Sequence, residues 1–211
     1  MMSDQDEGRV RVAGPAEVPA AVATLAEAFD ADPVWGWAFD DAARRRAQHE
    51  AWFDLLVRQA VANRSAWLTP GGEAVAIWVP PGRPELDADR ERRLVAMIEE
   101  RCGARAGLIL AAFELFDANH PNDREHWYLS LLATGDRHRG HGHGMRLLAA
   151  NLATLDAAGR PAYLESTNPA NLKRYAAVGF EPIGRFSLPL GGPEVTTMWR
   201  EPRRTLTRLR P

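Results

Sequence analysis

The sequence contains a single cysteine, Cys102, so it cannot form an internal disulfide, which suits a reducing compartment such as the cytosol. No apolar run approaches the roughly 18 residues that a membrane-spanning helix needs. The first residues, 1–7, are acidic, whereas a secretory signal begins with basic and then apolar residues. These features predict a cytoplasmic protein with no membrane partner.

An excess of charge of one sign is also missing. Lysine and arginine together number 26 against 28 aspartates and glutamates, which leaves a formal net charge of -2. Because nucleic-acid-binding proteins carry a basic face, no nucleic-acid partner is expected. With no repeats or low-complexity segments, the 211 residues predict one domain over 9–200. Residues 1–8 are expected to be flexible, and 201–211 form a basic tail that reads most simply as solvated.

Hydrophobic periodicity predicts alternating helices and strands. Residues 30–33 interrupt the pattern after the first helix, and the segment 83–122 forms an inserted helical pair. Helices are expected at 17–29, 41–62, 89–101, 105–117 and 145–155, and strands at 9–13, 66–69, 73–79, 127–134, 162–166, 181–187 and 194–199. A central strand–helix–strand unit among hairpins predicts an α+β fold with a mixed sheet.

A glycine-rich turn, residues 139–144, lies between the strand at 127–134 and the helix at 145–155. Glycine allows positive φ and a close approach of backbone N–H groups to an anion, and the following helix adds its own N-terminal N–H groups. A Walker loop is excluded because Gly144 is followed by Met145 and Arg146. The spacing G-x-G-x-G also fits a dinucleotide turn poorly. A phosphate site is therefore predicted, with an ordinary connector as the alternative.

The spacing of Arg139, Gly142 and Gly144 resembles the acyl-CoA signature of the GCN5-related N-acetyltransferase (GNAT) superfamily. The downstream segment 163–180, which ends in Tyr175-x-x-x-Gly179-Phe180, is similar to a second motif of that superfamily. The segments 127–129 and 164–166 look most like puromycin-N-acetyltransferase-like members. The resemblance implies an α/β/α sandwich whose mixed, mostly antiparallel sheet has about seven strands and a V-shaped splay between the fourth and fifth.

The cofactor implied by the resemblance is acetyl-CoA, which acts as co-substrate. In the superfamily, backbone groups of the splayed fourth strand align pantetheine and polarise the thioester, and the glycine turn holds the pyrophosphate. Asn168 and Asn171 fall where relatives contact the cofactor, although either could serve only as a helix cap. The implied cofactor site comprises Leu132, Ala133, Thr134, Arg139, Gly140, His141, Gly142, His143, Gly144, Met145, Asn168 and Asn171.

Tyr175 aligns with the superfamily's general acid. A phenol with a pKa of about 10 stays protonated at neutral pH and can protonate a thiolate whose thiol has a pKa of about 8.5. Packing against the sheet is the alternative role. Glu165 is the leading candidate base, against a surface or cap-pairing role; His126 and a water chain through Ser130 are the other candidates.

The acceptor side is less defined. Strand alternation puts His126, Tyr128 and Ser130 on one face, where relatives carry a charged group toward the acceptor. Tyr128, Ser130, Trp35 and Trp37 are candidate substrate-binding residues, although each tryptophan could equally belong to the core. The insertion at 83–122 either selects the substrate or only covers the sheet.

Two features near the glycine turn, an acidic residue and a group of histidines, lead to separate predictions. Asp136, close to a phosphate site, is tolerable if it faces solvent or pairs with Arg137. Its three histidine neighbours lie too close together in one turn to converge on a metal ion, so no metal is expected. These histidines are His138, His141 and His143.

The sequence thus predicts an acetyl-CoA-dependent N-acetyltransferase that acts on a small primary amine. A non-catalytic acyl-CoA-binding or sensing domain and a protein N-acetyltransferase are the alternatives. A homodimer through the last two strands is common in the superfamily, but no residue pattern here decides it.

Overall fold

The computed structural model describes residues 10–203, so the predicted flexible segment 1–8 and most of the tail at 201–211 lie outside the described residues. Within this range the strands are β1 (Arg11–Val12), β2 (Ala66–Leu68), β3 (Ala74–Val79), β4 (Trp127–Thr134), β5 (Ala162–Ser166), β6 (Glu181–Ser187) and β7 (Glu194–Arg200). The α-helices are α1 (Val18–Ala28), α2 (Pro33–Ala38), α3 (Ala42–Ala62), α4 (Ala88–Arg101), α5 (Ala106–Asn119), α6 (His143–Ala157) and α7 (Leu172–Ala177).

The strands form one sheet in the order β1-β2-β3-β4-β5-β7-β6. All adjacent pairs are antiparallel except β4 and β5, which run parallel and are joined through α6. A parallel pair needs such a crossover connection, because a hairpin can join only antiparallel strands. The predicted mixed, mostly antiparallel sheet of seven strands is confirmed.

Helices cover both faces of this sheet and create two apolar cores. In β3, Val75 and Ile77 face the core formed with α1 and α3, whereas Ala76 and Trp78 face the core formed with α6. This separation follows from the period-two alternation of side chains along a strand. The arrangement is the predicted α/β/α sandwich.

The β4–β5 pair separates after only three residue pairs. Pairing begins at Trp127 with Ala162 and ends at Leu129 with Leu164; beyond that point β4 stays paired with β3, and β5 with β7. The two strands therefore diverge from Ser130 onward and leave backbone groups of β4 without a neighbouring strand. This divergence is the predicted splay.

A β-bulge in β4 lies where the splay opens. Ile77 of β3 pairs with Leu131, but the next residue, Trp78, pairs with Leu129, so Ser130 has no partner in β3. The extra residue changes the alternation: Leu129 belongs to the core on the α6 side and Leu131 to the core on the α1 side. The predicted alternation from His126 through Ser130 therefore ends at Ser130.

A short helix, α2, occupies the segment that follows the interruption at 30–33. Asp32 is its N-cap, and Asp32 Oδ1 accepts hydrogen bonds from the N–H groups of Val34 (2.9 Å) and Trp35 (3.3 Å). Pro33 takes the first helical position, where its missing N–H costs nothing. The residues that interrupt α1 thus also begin a new helix, which the sequence pattern did not predict.

The predicted helical pair of the insertion is α4 and α5, separated at Gly103, which has a φ of 52°. α4 packs on α3, where Gln48 Nε2 donates to the Arg101 carbonyl at 2.9 Å. α5 extends to the far end of the sheet, and the Phe116 ring lies 5.1 Å from that of Phe186 on β6. The insertion therefore covers one face of the sheet, from the region where α3 packs to the edge strand β6.

His49 is fully buried in the aromatic cluster between α2 and α3. Burial disfavours the charged ring and lowers its pKa from 6.5 to about 4. The unfolded chain consequently binds more protons than the folded chain between these two pH values. We expect the free energy of unfolding to fall, by up to roughly 3 kcal/mol, as the pH drops from 6.5 to about 4.

Urea unfolding across this pH range measures the effect. His49→Leu should show a flatter dependence than the wild type, because the titrating ring is gone. The exposed His141 offers a control, since His141→Gln should keep the wild-type slope. Equal slopes for His49→Leu and the wild type would contradict the assignment.

Candidate active site

The glycine turn has the backbone conformation that its sequence predicts. Gly140 and Gly142 have φ values of 81° and 76°, in the left-handed region that favours glycine. Gly142 is the N-cap of α6, and no side chain caps the helix, so the N–H groups of its first turn are left for a ligand. The helix begins at His143, two residues earlier than predicted.

Gly144 is needed for close packing rather than for its φ angle. A Cβ atom there would lie 2.7 Å from Thr134 Oγ1, which is closer than real Cβ atoms approach. The absence of a side chain allows the start of α6 to rest on the end of β4. The turn therefore holds the N–H groups of α6 beside the splayed strand.

A cavity of about 580 Å³ opens between the turn, the splayed end of β4 and α7. Its volume lies within the range of small-molecule sites. It contains every predicted cofactor-binding residue except His141, together with Tyr175. The further lining residues are Ala28, Phe29, Ala31, Asp32, His138, Ala170 and Arg174.

Two guanidinium groups belong to this cavity. Arg139 Nε pairs with Asp136 Oδ1 at 2.8 Å, and Arg139 Nη2 donates to the Ala28 carbonyl at 3.0 Å. Asp136 faces solvent, as one of the two expectations had it, and it pairs with Arg139 rather than Arg137, because the two residues begin and follow one turn of 3-10 helix. Arg174 is the second cation, and its Nη1 donates to Asn171 Oδ1 at 3.0 Å. Both guanidinium groups are thus held in the cavity wall by protein partners.

Tyr175 reaches the cavity from α7 and is half-buried. Burial, and to a smaller extent the charge of Asp32, raises the pKa of its phenol to about 12. The hydroxyl therefore carries its proton throughout the physiological pH range. It is a proton donor held beside the splay.

Asp32 contributes a carboxyl group to the cavity wall and is only 8% exposed. Besides capping α2, it accepts a hydrogen bond from Thr167 Oγ1 at 2.8 Å, and burial raises its pKa. This hydrogen bond joins the α1–α2 connection to the segment after β5. Asp32 thus connects two segments that border the cavity.

Glu165 lies directly beyond the last β4–β5 pair, and its side chain is only 3% exposed. The hydroxyls of Tyr128 and Tyr163 donate to its two oxygens at 2.6 and 2.9 Å. His120 Nδ1, from the end of the insertion, lies 3.5 Å from Glu165 Oε1. The predicted base is therefore a buried carboxylate with three polar partners.

Glu85 contacts Ser130, the bulged residue of β4, through a hydrogen bond from the serine hydroxyl. Although Glu85 keeps exposed surface, the surrounding protein displaces water from its carboxyl and, with the nearby Glu165 charge, raises its pKa to about 7. Glu85 lies on the solvent-exposed side of Ser130.

No family model matches the sequence. A solved structure from Corynebacterium glutamicum, described as histone acetyltransferase HPA2 and related acetyltransferase, is 27% identical, with 94% of this chain and 98% of that chain covered and a TM-score of 0.68. An agmatine N-acetyltransferase is 15% identical over 93% of this chain and all of its own, at a TM-score of 0.63. The arylalkylamine N-acetyltransferase 2 of Aedes aegypti is 12% identical over 92% and 99%, at 0.58.

The chain has the GNAT acetyltransferase fold. The predicted fold class is thereby confirmed, and the similarity to the 27%-identical acetyltransferase structure supports the prediction of an acetyltransferase. The two matches below 25% identity contribute evidence for the fold alone. A special closeness to puromycin-N-acetyltransferase-like members of the GNAT fold is not shown by these comparisons.

The cavity brings together Tyr175 and the predicted cofactor residues except His141, whereas Glu165, Tyr128, Ser130 and the two tryptophans are not part of its lining. Trp35 packs among aromatic rings, with centroids 4.6 Å from Phe53 and 5.2 Å from Trp52, and it is not part of the cavity lining. Trp37 packs against Arg105, whose guanidinium lies 5.3 Å from its ring centroid. Both tryptophans therefore have packing roles. Neither lines the cavity, so the structure gives no support to their predicted role in binding the acceptor.

The two asparagines have local roles as well as a place in the cavity. Asn168 Oδ1 accepts the Ala170 N–H at 3.0 Å, so Asn168 caps the short helical turn before α7. Asn171 supports Arg174. Metal ligation receives no support, because residues 10–203 contain no cluster of three or more histidine, cysteine or acidic side chains able to hold an ion.

The sequence prediction gives no role to several site residues, among them Asp32, Glu85, His120 and Arg174. The Asp32-Pro33 pair is a helix-start signature that could have been recognised. Arg174 precedes Tyr175 within the second motif and could have been found by its spacing from Asn171. Glu85 gives no local signal, since its partner Ser130 is 45 residues away.

Proposed function

We propose that this protein transfers the acetyl group of acetyl-CoA to a small primary amine. The observation that carries the proposal is the single cavity that joins the N-terminus of α6, the unpaired end of β4 and the Tyr175 hydroxyl. A phosphate site, a strand edge and a proton donor in one cavity match the three parts of an acyl-CoA donor: pyrophosphate, pantetheine and thiol.

Each part of the donor has complementary groups. The pyrophosphate would accept hydrogen bonds from the first turn of α6, with Arg139 and Arg174 as flanking cations. Pantetheine carries amides, so it can pair with the backbone of Leu132–Thr134 where β5 has diverged. Side-chain identity matters little for this pairing, which explains why Thr134 is tolerated in the wall.

The transfer needs an uncharged amine. Its nitrogen attacks the thioester carbon, the N–C bond forms, and a backbone N–H of β4 stabilises the carbonyl oxygen. The C–S bond then breaks with its electron pair leaving on sulfur, which takes the Tyr175 proton. The ammonium form loses one proton before attack. The second, lost as the amide forms, restores Tyr175.

The acceptor class follows from what surrounds the site. α2, α5 and the β6–β7 hairpin meet in a small apolar cluster, which includes Val34, Ala112 and Val195. This cover restricts the acceptor side and favours a compact amine over a protein tail. The neighbours named for arylalkylamine and agmatine acetylation support amine acceptors in general.

Thiol release from acetyl-CoA with a panel of amines tests the proposal. The panel should contain an arylalkylamine, an aliphatic diamine, agmatine and a lysine-containing peptide. We expect at least one small amine to accelerate release while the peptide does not. Acceleration by the peptide alone would indicate a protein acetyltransferase. If no amine acts while CoA still raises the melting temperature, the protein is an acyl-CoA-binding domain.

Other predictions from the sequence extend the proposal. The resemblance of the segments 127–129 and 164–166 to puromycin-N-acetyltransferase-like members stays a prediction. No helix in the described part of the chain is long and apolar enough to cross a membrane. Cytoplasmic localisation and homodimer formation stay predictions.

A further inference from the structure

The inserted segment places a histidine side chain beside the predicted base, and the inference drawn from this contact rests on the proposed function. His120 follows α5 directly, and its Nδ1 lies 3.5 Å from Glu165 Oε1. Its other ring nitrogen, Nε2, lies 3.0 Å from Nε2 of His126. A carboxylate that is 3% exposed is costly unless its charge is compensated, so the protonation of these rings is important.

The hydrogen-bond partners determine where the ring protons are. His126 Nδ1 lies 2.8 Å from the Arg124 carbonyl oxygen, which can only accept, so Nδ1 carries a proton. Burial lowers the pKa of His126 and keeps the ring neutral, which leaves its Nε2 bare. His120 must then donate from Nε2 to His126.

The nitrogen on the opposite side of the His120 ring is Nδ1. Nδ1 faces a carboxylate oxygen, and a bare nitrogen there would oppose the negative charge. With Nε2 already a donor, protonation of Nδ1 makes His120 an imidazolium. The groups around it are Glu165 and Tyr163 from β5, His126 and Tyr128 from the β4 region, and the acids Glu85 and Asp117.

We propose that His120 is a positioning residue whose imidazolium keeps Glu165 ionised as the acceptor of the proton that the amine loses. Glu165 is the first β5 residue beyond the last β4–β5 pair, so it lies where the splay opens, next to the lining of the cavity rather than in it. The inserted pair thus has a catalytic consequence in addition to covering the sheet.

The proton reaches Glu165 through Tyr128. The Tyr128 hydroxyl donates to Glu165 Oε2 at 2.6 Å, so its own lone pairs are free to accept from the ammonium. The N–H bond breaks with its electron pair kept on nitrogen, and a new O–H bond forms at Tyr128. The Tyr128 proton moves to Glu165 at the same time, so no tyrosinate is formed. The cycle closes when Glu165 loses this proton to solvent, while His120 keeps both of its ring protons.

The pH dependence of kcat/KM tests this role. Without the imidazolium, the ionised form of the buried carboxylate loses its compensating charge, so His120→Gln should move the acid limb of the profile upward. Its plateau at alkaline pH should match the wild type. Glu165→Gln should lower kcat at neutral pH by about 100-fold or more. Glu125→Gln, an exposed carboxylate-to-amide change beside His126, is the matched control and should follow the wild type.

Nitrogen NMR of the histidine rings provides a readout that needs no turnover. At neutral pH both His120 nitrogens should be protonated in the wild type, and one should lose its proton in Glu165→Gln. An unmoved acid limb in His120→Gln, or a neutral His120 ring in the wild type, overturns the inference. A wild type that acetylates no amine at any pH, yet shows the doubly protonated ring, overturns the proposed function and the catalytic role while the ion pair stands.

Discussion

Gly142→Val is expected to weaken CoA binding by about 100-fold or more. Gly142 has a φ of 76°, a conformation that costs a residue with a side chain about 1–2 kcal/mol and disfavours a β-branched one further. Relaxing this strain turns the N–H groups of α6 away from the phosphate. Hydrogen bonds to a charged group contribute about 1.5–3 kcal/mol each, and 1.4 kcal/mol is a tenfold change in affinity.

The same helix offers a control with similar backbone strain. Gly159 follows α6 at its other end with a φ of 64°, and nothing lies within 4 Å of a Cβ built there. Gly159→Val should therefore lower the melting temperature to a comparable degree but leave CoA affinity unchanged. Calorimetric titration of both variants makes the comparison. Equal CoA affinities for the two variants would show that the turn does not hold the pyrophosphate.

Tyr175→Phe is expected to lower kcat by about 100- to 10,000-fold, which is the usual contribution of a general acid. The change removes one oxygen and keeps the ring, whose contact with Phe180, at a centroid distance of 6.2 Å, is preserved. CoA affinity should stay within about threefold of the wild type. A fall in kcat without a change in cofactor binding separates the catalytic role of Tyr175 from packing.

The pH profile makes this prediction more specific. The pKa of Tyr175 is raised to about 12, so the wild type should show no loss of activity from this residue up to pH 10. Tyr175→Phe should lower the rate by a similar factor at every pH, unlike variants of Glu165 or His120. A kcat close to that of the wild type would assign proton donation to solvent and leave Tyr175 a packing role.

The cofactor half of the site could be predicted from the sequence because it is local and largely made of backbone. The order strand, glycine turn, helix places the N–H groups of α6 beside β4 whichever side chains surround them. Only His141 among the predicted cofactor residues is absent from the cavity lining. Even the third glycine has a local cause, since Gly144 packs against Thr134 ten residues earlier.

The acceptor half could not be predicted in the same way because it depends on contacts distant in sequence. The bulge at Ser130 arises from register with β3, and strict alternation along β4 gives no sign of it. The contact between His120 and Glu165 depends on where the end of α5 meets β5. The sequence named Glu165 and His126 as separate candidate bases, whereas the structure links them through His120 in one network.

Trp35 shows how an aromatic residue near a predicted site can be assigned too readily. Its ring is surrounded by those of Phe29, Phe39, Trp52 and Phe53, and this packing was the alternative that the sequence left open. Trp35 lies on α2, which begins at Pro33 with Asp32 as its N-cap. The sequence pattern indicated only an interruption at this point. The cavity wall contains the capping residue itself.

The central claim is that one cavity binds acetyl-CoA and transfers its acetyl group to a small amine. Its most direct test is to quantify the free CoA thiol and the acetylated amine in one reaction, by absorbance and mass spectrometry. We expect one acetamide for every thiol released, and both products should depend on the enzyme and on the amine. Thiol release without an acetamide, or with acetylated protein as the only product, would contradict it.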